Sequence, residues 1–542
     1  MDRGGALKGV MPAMWTRRQF LKAAGAVTLW PSGCAPHVAR PSGAVVNDIQ
    51  SQLNSTRVAQ VMTPGSVEEL QQAIRMARSK SKGISIAGGR HAMGGQQFGA
   101  GTVLVDMAAM NRVLGFDQDK GEIDVEAGIQ WPALIDFLVT SQRGRDQQWG
   151  IIQKQTGADR FSIGGALGAN VHGRGLRMKP FIADVESFVL LDAAGIPLRC
   201  DRRENTELFR LAIGGYGLLG IIGSVRLRLA PRRKLRRVVE LLQVEDLMPA
   251  FQERIANGFL YGDFQFSTDR DSDDLLRKGV FSCYQPVDNR TPVPDGQMEL
   301  SEKDWRELIY LLHTNPRRAF ERYSMFYLAS SGQIYWSDTH QLSYYIDNYH
   351  QWLDQKLGAP DKATEIITEI YVPRPALARF MGDVQKDFRD NNVEMIYGTI
   401  RLIEKDDESF LAWAREPYAC IIFNLHTVHT PQGLERSGRD FRRLIDLAIA
   451  HGGCYYLTYH RFATRKQVET CYPQFPEFLR LKRKYDPDER FQSDWYRHYK
   501  TMLATPSESS YPSLSSSTAP LNLPFSPLTG EKVGKRGGKE FS

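Results

Sequence analysis

Three runs of this 542-residue chain carry glycine densely enough to give up side-chain packing, and each stands beside residues able to do chemistry. GGRHAMGGQQF (Gly88–Phe98) holds Arg90 and His91, and DRFSIGGALGANVHGRG (Asp159–Gly175) holds His172 and Arg174. The third is AIGGYGLLGIIGSVRLRLAP (Ala212–Pro231). Backbone N–H groups in such turns converge on anionic oxygens that side chains would hold off, so three turns at strand ends point to one long phosphate-bearing ligand. Neither a Walker motif nor a GxGxxG opening a βαβ unit is present, which argues against a Rossmann nucleotide site. HExxH, Ser-His-Asp order and local metal-ligand spacing are also missing, so hydrolase and metal chemistry are poor readings.

A second set of polar residues stands further along, on segments that read as strands. Period-two alternation puts Thr399 and Arg401 of GTIRLIE on one strand face. It does the same for Asn424 and His426 of IIFNLHT, and for Tyr455 and Tyr459 of CYYLTYH, with His460 next in the chain.

The elements that must position these residues alternate. TPGSVEELQQAIRMARSK begins a helix with a capping box of Ser66 and Glu69, and Val67, Leu70, Ile74 and Ala77 share one face. GISIAGG, TVLVDM and EIDVEAG are short strands, and Pro132 opens the helix PALIDFLV. Val225, Leu227 and Leu229 alternate with Arg226 and Arg228, a half-buried strand, and Pro231 closes a first domain. From 236 to 500 glycine thins out and aromatics rise. EIITEIYVPR, MIYGTIRLIE, ACIIFNLHT and CYYLTYH read as strands of an antiparallel sheet, separated by helices such as RDFRRLIDLAIA. The fold class is α+β throughout.

Residues Val58 to Pro231 resemble the FAD-binding domain of the vanillyl-alcohol oxidase superfamily, the PCMH-type fold of two subdomains. SIAGGRHAMGGQ is similar to its pyrophosphate loop, SIGGALGANVHGRG to its second flavin segment, and FRLAIGGYGLLGIIGSVRLRLAP to the segment closing around flavin and adenine. YPQFPEFLRLKRKYDPDERFQSDWYR resembles the C-terminal segment of sugar and aldonolactone oxidases, and of the flavin oxidase subunit of decaprenylphosphoryl-ribose epimerase. TEIYVPRPAL and GTIRLIE resemble cap strands of alditol and lactone oxidases.

The resemblance implies FAD. Its binding residues would be Gly88, Gly89, Arg90, His91, Ala92 and Gln96 on the first run. The second run supplies Ser162, Gly164, Gly165, Gly168, Asn170, His172 and Gly173, and the third supplies Gly220, Ile221 and Ile222. Many members bond the histidine at the place of His91 covalently to the flavin 8α-methyl, whereas the ribose-epimerase relatives hold FAD non-covalently. No cysteine stands near QTGADRFSIGG, so a second link is not expected. The implied reaction is hydride transfer from the CH–OH group of a sugar, polyol, lactone or related alcohol, then onward to oxygen or a respiratory carrier.

Alcohol oxidation needs a base or hydrogen-bond cluster above the flavin, and Tyr459, Arg401, His426, His460 and Asn424 are the candidates. Alditol oxidases have Glu at the place of Thr399 and Lys near that of Tyr459, while Arg401 matches theirs. Two alternatives stay open. One is an amine-oxidising enzyme, because the His91 loop is similar to that of cytokinin dehydrogenases; the other is a non-enzymatic flavin-binding envelope protein.

TRRQFLKAAGAVTLWPSGCAP, with Arg17 and Arg18, resembles a twin-arginine export signal and predicts a periplasmic or extracytoplasmic protein using that export machinery. Cys34 after Ser32-Gly33 is a candidate lipid anchor. The division expected is signal peptide 1–36, linker 37–56, FAD-binding domain 57–232, substrate or cap domain 236–500 with a C-terminal FAD-contacting segment, and a disordered Ser/Pro-rich tail 501–542. A net charge of +7 over this length, with no dense basic stripe, argues against nucleic acid. Five cysteines beyond Cys34, none in a CxxC pair, read as buried free thiols.

Overall fold

A computed structural model describes residues 43–343 and 346–504. The export signal, Cys34 and nearly all of the Ser/Pro tail lie outside the described residues. The helix over TPGSVEELQQAIRMARSK forms at Val67–Ser79, with Ser66 Oγ accepting from Glu69 N (3.3 Å). Leu70, Ala73, Ile74 and Ala77 of that helix are buried against the parallel sheet described next.

That sheet has three strands, ordered Gln60–Met62, Val103–Asp106, Ile84–Ala87. A five-stranded antiparallel sheet follows, ordered Pro197–Asp201, Val185–Leu191, Ile221–Arg228, Glu122–Glu126, Val113–Asp117. Alternation of Val225 and Leu227 with Arg226 and Arg228 produces the expected half-buried strand. The chain returns at its end to the parallel sheet. Ile84 bridges to Phe491, Gln492 N donates to Ile84 O (2.7 Å), and Asp494 N donates to Phe98 O (2.7 Å).

The second unit is an eight-stranded antiparallel sheet, ordered Ile334–Trp336, Lys234–Gln243, Lys278–Val287, Tyr261–Phe266, Met395–Ile403, Tyr418–Val428, Ala363–Pro373, Cys454–Tyr455. Its register sorts the side chains. Ile366, Ile370, Ile421, Phe423, Ile400 and Leu402 enter an apolar core with Phe380 and Val384 of the helix Leu377–Asp390 and Phe441 and Leu444 of the helix Pro431–Ala450. Each large apolar side chain so buried contributes about 1.5–3 kcal/mol. The opposite face carries Glu365, Glu369, Thr399, Arg401, Cys420, Asn424 and His426, since Glu369 and Thr399 both oppose Ile422 while Arg401 opposes Cys420. Helices Glu302–Thr314 and Tyr349–Leu357 pack on that polar side.

Two expectations are corrected. Residues 43–56 are not a free linker: Val45–Val46 pairs with Thr56–Arg57, and Val46 packs with Val58, Val61, Ala87, Phe98 and Leu104. Asp48 there accepts from Ser51 N (2.5 Å), Gln52 N (3.0 Å) and Asn54 Nδ2 (2.9 Å). The strand over CYYLTYH stops after Cys454–Tyr455: Tyr456 N still donates in register to Glu369 O (3.0 Å), and the chain then turns at Leu457–Thr458. Tyr455 and Tyr459 therefore do not share a strand face. The final helix, Asp494–Ala504, carries described structure four residues past the expected boundary at 500. No helix among the described residues is long and apolar enough to cross a membrane.

Candidate active site

The three glycine runs meet at one short helix, Ile163–Ala169. A Cβ on Gly88 would lie 2.0 Å from Ser162 Oγ, and one on Gly89 would lie 2.1 Å from Arg160 O, so the first run touches the start of the second. At the other end Gly214 N donates to Leu167 O (3.1 Å) and Tyr216 N to Gly168 O (2.9 Å), which brings in the third. Ile163, Ala166 and Leu167 turn inward, while Gly165 is exposed and Gly168 half-buried. Cβ atoms there would meet nothing nearer than Ser162 Oγ at 3.0 Å and Gly217 N at 3.9 Å. This accessible bare backbone fits a long phosphate-bearing cofactor laid across it.

His91 is buried and stacked on Phe161, ring centroids 4.4 Å apart. Burial, reinforced by the charge of Arg160, pushes its imidazole down to about 4, so it stays neutral. Arg90 adopts a left-handed φ of 59° and spends its guanidinium on Asp106 (2.5 Å). Ala92 O accepts from Gln97 Nε2 (2.7 Å), and Gln96 Nε2 donates to Thr458 O (2.6 Å). Ser162 caps the helix through Gly165 N (3.2 Å), and Gly164 packs against Ala127.

Several expected cofactor residues have other tasks. The Asn170 side chain is committed to Asp406 (2.9 Å) and Ile182 N (3.0 Å), so it joins the two units rather than facing a ligand. Gly220 is glycine because a Cβ would lie 2.4 Å from Leu190 Cδ2, and Ile221 and Ile222 pair with Leu191 and Leu190. Gly173 packs against Lys154 O, and its N–H donates to Gln153 Oε1 (3.1 Å).

His172 leaves the second glycine run for the polar face of the large sheet. Its Nε2 bonds Glu369 Oε1, and its Nδ1 lies 3.0 Å from Gly173 O. Cys420 Sγ donates to Glu369 Oε1 (2.7 Å), and Tyr459 OH donates to Glu369 Oε2 (3.0 Å). Burial by itself raises the Glu369 pKa. The adjacent His172, the bond from Cys420 and the charge of Arg401 outweigh it and hold the carboxyl at about 2. The Tyr459 phenol is pushed well up by burial and by Glu369 and remains protonated. Arg401 forms no ion pair among the described residues, and its buried Nε has no hydrogen-bond partner. Thr399 Oγ1 and Asn424 Oδ1, on the same face, are also buried without partners. These three are polar groups whose partner the protein does not supply.

The structure thus brings Tyr459, Arg401 and Asn424 to one face with His172. It separates His460, whose Nε2 bonds Thr368 Oγ1 (3.0 Å) while Phe462 N approaches its Nδ1 (3.4 Å), among Phe441 and Phe462. Burial lowers its pKa to about 3, so His460 is a neutral core residue and not an acid or base. Tyr455 is likewise buried, stacked near His460 and edge-on to Tyr472.

His426 belongs to a different cluster, around Glu365. His313 Nε2 and His426 Nδ1 lie 3.2 and 3.6 Å from Glu365 Oε1; His350 Nδ1 lies 2.7 Å from Oε2, which also accepts from Tyr349 OH (2.5 Å). Burial raises the Glu365 pKa less than the three imidazoles, His350 first, lower it, and the group sits well below the carboxylate range. Sequence reading missed Glu369, Glu365 and Cys420 although their strands were quoted. Two glutamates four apart in an apolar strand, on one face, were the available signal. The five cysteines among the described residues are free and buried, as expected.

Residues 58–201 match the family described as FAD binding domain. These residues are an FAD binding domain. Beyond it, the chain is 30% identical to L-gulonolactone oxidase of Bos taurus over 32% of this chain and 38% of that protein. It is 22% identical to L-gulono-1,4-lactone dehydrogenase of Mycobacterium tuberculosis over 81% of this chain and 95% of that protein. It is 31% identical to the mitochondrial L-galactono-1,4-lactone dehydrogenase of Arabidopsis thaliana over 24% of this chain and 20% of that protein. The match to the bovine oxidase spans well under half of that relative's length. His172 and the two junction residues Leu167 and Gly168 all lie inside the FAD binding domain, whereas Glu369, Arg401 and Tyr459 come from the eight-stranded sheet and its following loop.

Proposed function

We propose that this chain is an exported FAD-dependent oxidoreductase that removes a hydride from the CH–OH group of an aldonolactone or closely related sugar or polyol. The observation that carries the reading is the joint made by His172 of the FAD binding domain with Glu369, Tyr459 and the unpaired Arg401. The lactone-oxidising relatives favour a lactone donor, and the twin arginines Arg17 and Arg18 favour export. Oxygen or a respiratory carrier would take the electrons afterwards.

FAD, when bound, supplies the hydride acceptor. His91, kept neutral by burial, would hold it covalently through its 8α-methyl, and the glycine junction would take its pyrophosphate. On the donor side, Arg401 offers a desolvated positive charge to the reacting oxygen, which lowers the cost of charge developing there. Thr399 and Asn424 offer hydrogen bonds that orient neighbouring hydroxyls. Tyr459 OH, fixed by donating to the Glu369 carboxylate at 3.0 Å, accepts a hydrogen bond from the donor's hydroxyl. The negative charge of Glu369 strengthens that phenol oxygen as an acceptor while the hydroxyl proton leaves to solvent. His172 holds the other carboxylate oxygen of Glu369 in place.

Two measurements test this. Acid precipitation of the purified protein is expected to leave yellow colour in the pellet, and His91→Ala to release it to the supernatant. A donor screen under anaerobic conditions is expected to bleach the flavin with lactones, sugars or polyols. Bleaching by amines alone would overturn the alcohol reading, and folded protein without flavin would overturn the enzyme reading.

A further inference from the structure

The Glu365 cluster takes no part in the chemistry just described. Glu369 and Glu365 are four residues apart on one strand, about 13 Å at the usual rise per residue. Three chain segments converge on Glu365 and its strand: the helix Glu302–Thr314 with His313, the helix Tyr349–Leu357 with His350, and the adjoining strand with His426. The side chains of His313, His350 and Glu365 are 6%, 5% and 2% exposed, so water does not explain their gathering.

The contacts are near but not aligned as hydrogen bonds. Glu365 Oε1, His313 Nε2, His426 Nδ1 and both ring nitrogens of His350 have no hydrogen-bond partner, although the imidazoles stand 2.7–3.6 Å from the carboxylate. The ligating atoms of His313, Glu365 and His426 all lie within 4.8 Å of one another. A tetrahedral ion with bonds of about 2.0–2.1 Å separates its ligand atoms by about 3.4 Å, and the 3.2 and 3.6 Å contacts from Glu365 Oε1 bracket that value.

We propose that His313, His426 and Glu365 bind one divalent transition-metal ion, zinc(II) first by its preference for nitrogen and oxygen ligands, with His350 and Tyr349 steadying the other carboxylate oxygen. Three protein ligands leave a coordination position for water or a donor oxygen. The ion fastens the helix Glu302–Thr314 to the large sheet across its polar face without entering hydride transfer. The sequence shows no such motif because the ligands are scattered between positions 313 and 426 and no two are at helix or turn spacing.

The test uses the full chain without a histidine tag, purified in buffers free of chelator, with metal and flavin measured on the same sample. The expected result is about one zinc per chain, removable by chelator and restored by zinc(II) or cobalt(II), the latter giving a visible d–d spectrum of low-symmetry nitrogen and oxygen coordination. H313A and H426N are expected to lose stoichiometric metal while keeping flavin, and H350Q to weaken affinity about 10–100-fold. Flavin content and melting temperature identify any variant that merely fails to fold, and H426N keeps most of the side-chain volume for that reason. Folded, flavin-loaded wild type that takes up neither ion, or bound zinc equally retained by H313A and H426N, overturns the site. Because the readout is metal, loss of the oxidoreductase reading would leave this result standing, and the reverse holds.

Discussion

Glu365 and Glu369 are the same residue, on the same strand, on the same face, both buried, and both held below the usual carboxylate range. Their surroundings differ. Glu369 meets one imidazole, one thiol and one phenol, with the unspent guanidinium of Arg401 beside it. Glu365 meets three imidazoles, two of them delivered by helices lying on the sheet, and the phenol of Tyr349. Each has a phenol, so the difference lies in the rest: one imidazole with an unspent guanidinium beside it suits charge held next to a reacting donor, while several imidazoles around one carboxylate suit ligation. Burial and strand position are therefore silent on a carboxylate's task, and the partners brought by tertiary packing decide it.

The sharpest way to break this contrast is to neutralise each glutamate in turn. E369Q is expected to lower kcat about 10²–10⁴-fold with flavin content unchanged, the usual worth of assisted proton removal. E365Q is expected to change metal content and melting temperature far more than kcat. Equal effects on kcat from both variants would erase the distinction. R401M comes next: losing a charge-assisted hydrogen bond of about 1.5–3 kcal/mol predicts a fall of about 10–150-fold in kcat/KM, read by steady-state kinetics. Gly89→Ala drives a Cβ to 2.1 Å from the backbone oxygen of Arg160. About 1–3 kcal/mol of destabilisation and loss of bound flavin should follow, seen together in melting curves and visible spectra.

The smallest expected effect concerns His460. Its folded pKa of about 3 lies below the ordinary histidine value of 6.5, so between those values the unfolded chain binds a proton that the folded chain does not. That makes stability fall as pH drops below about 6.5. H460F should flatten this acid limb of the melting temperature while leaving kcat within about twofold, at a cost of about 1 kcal/mol for the bond to Thr368. Glu369 acts in the same direction lower down. Its contribution is full above the ordinary 4.5 and is lost as pH falls towards about 2.

Much of the architecture was legible because local patterns carried it. The helix capped by Ser66 and the alternation through Val225–Arg228 each became the element expected, with the Glu69 side chain accepting from Gly65 N (2.7 Å). The glycine runs announced their meeting by composition alone. CYYLTYH misled because its apolar alternation fits a strand, but the chain turns at Leu457–Thr458, just past the last bond to the neighbouring strand, Tyr456 N to Glu369 O. Tyr459 was found for a reason that proved wrong, and its place beside Glu369 comes from that bend. His426 was placed on the correct face, yet its partner could not be foreseen, since His313 and His350 arrive on helices whose docking no local pattern encodes. Glu369 was passed over because its partner His172 is 197 residues away.

The central claim is that the Glu369 joint oxidises a CH–OH donor at the flavin. Anaerobic mixing of flavin-loaded protein with aldonolactone, sugar and polyol donors, with flavin colour followed in time, tests it most directly. The account predicts rapid bleaching by at least one of these donors in the wild type, and bleaching slowed about 100-fold or more in E369Q carrying the same amount of flavin. Wild-type protein that bleaches with none of them, or E369Q that bleaches as fast as the wild type, would contradict it.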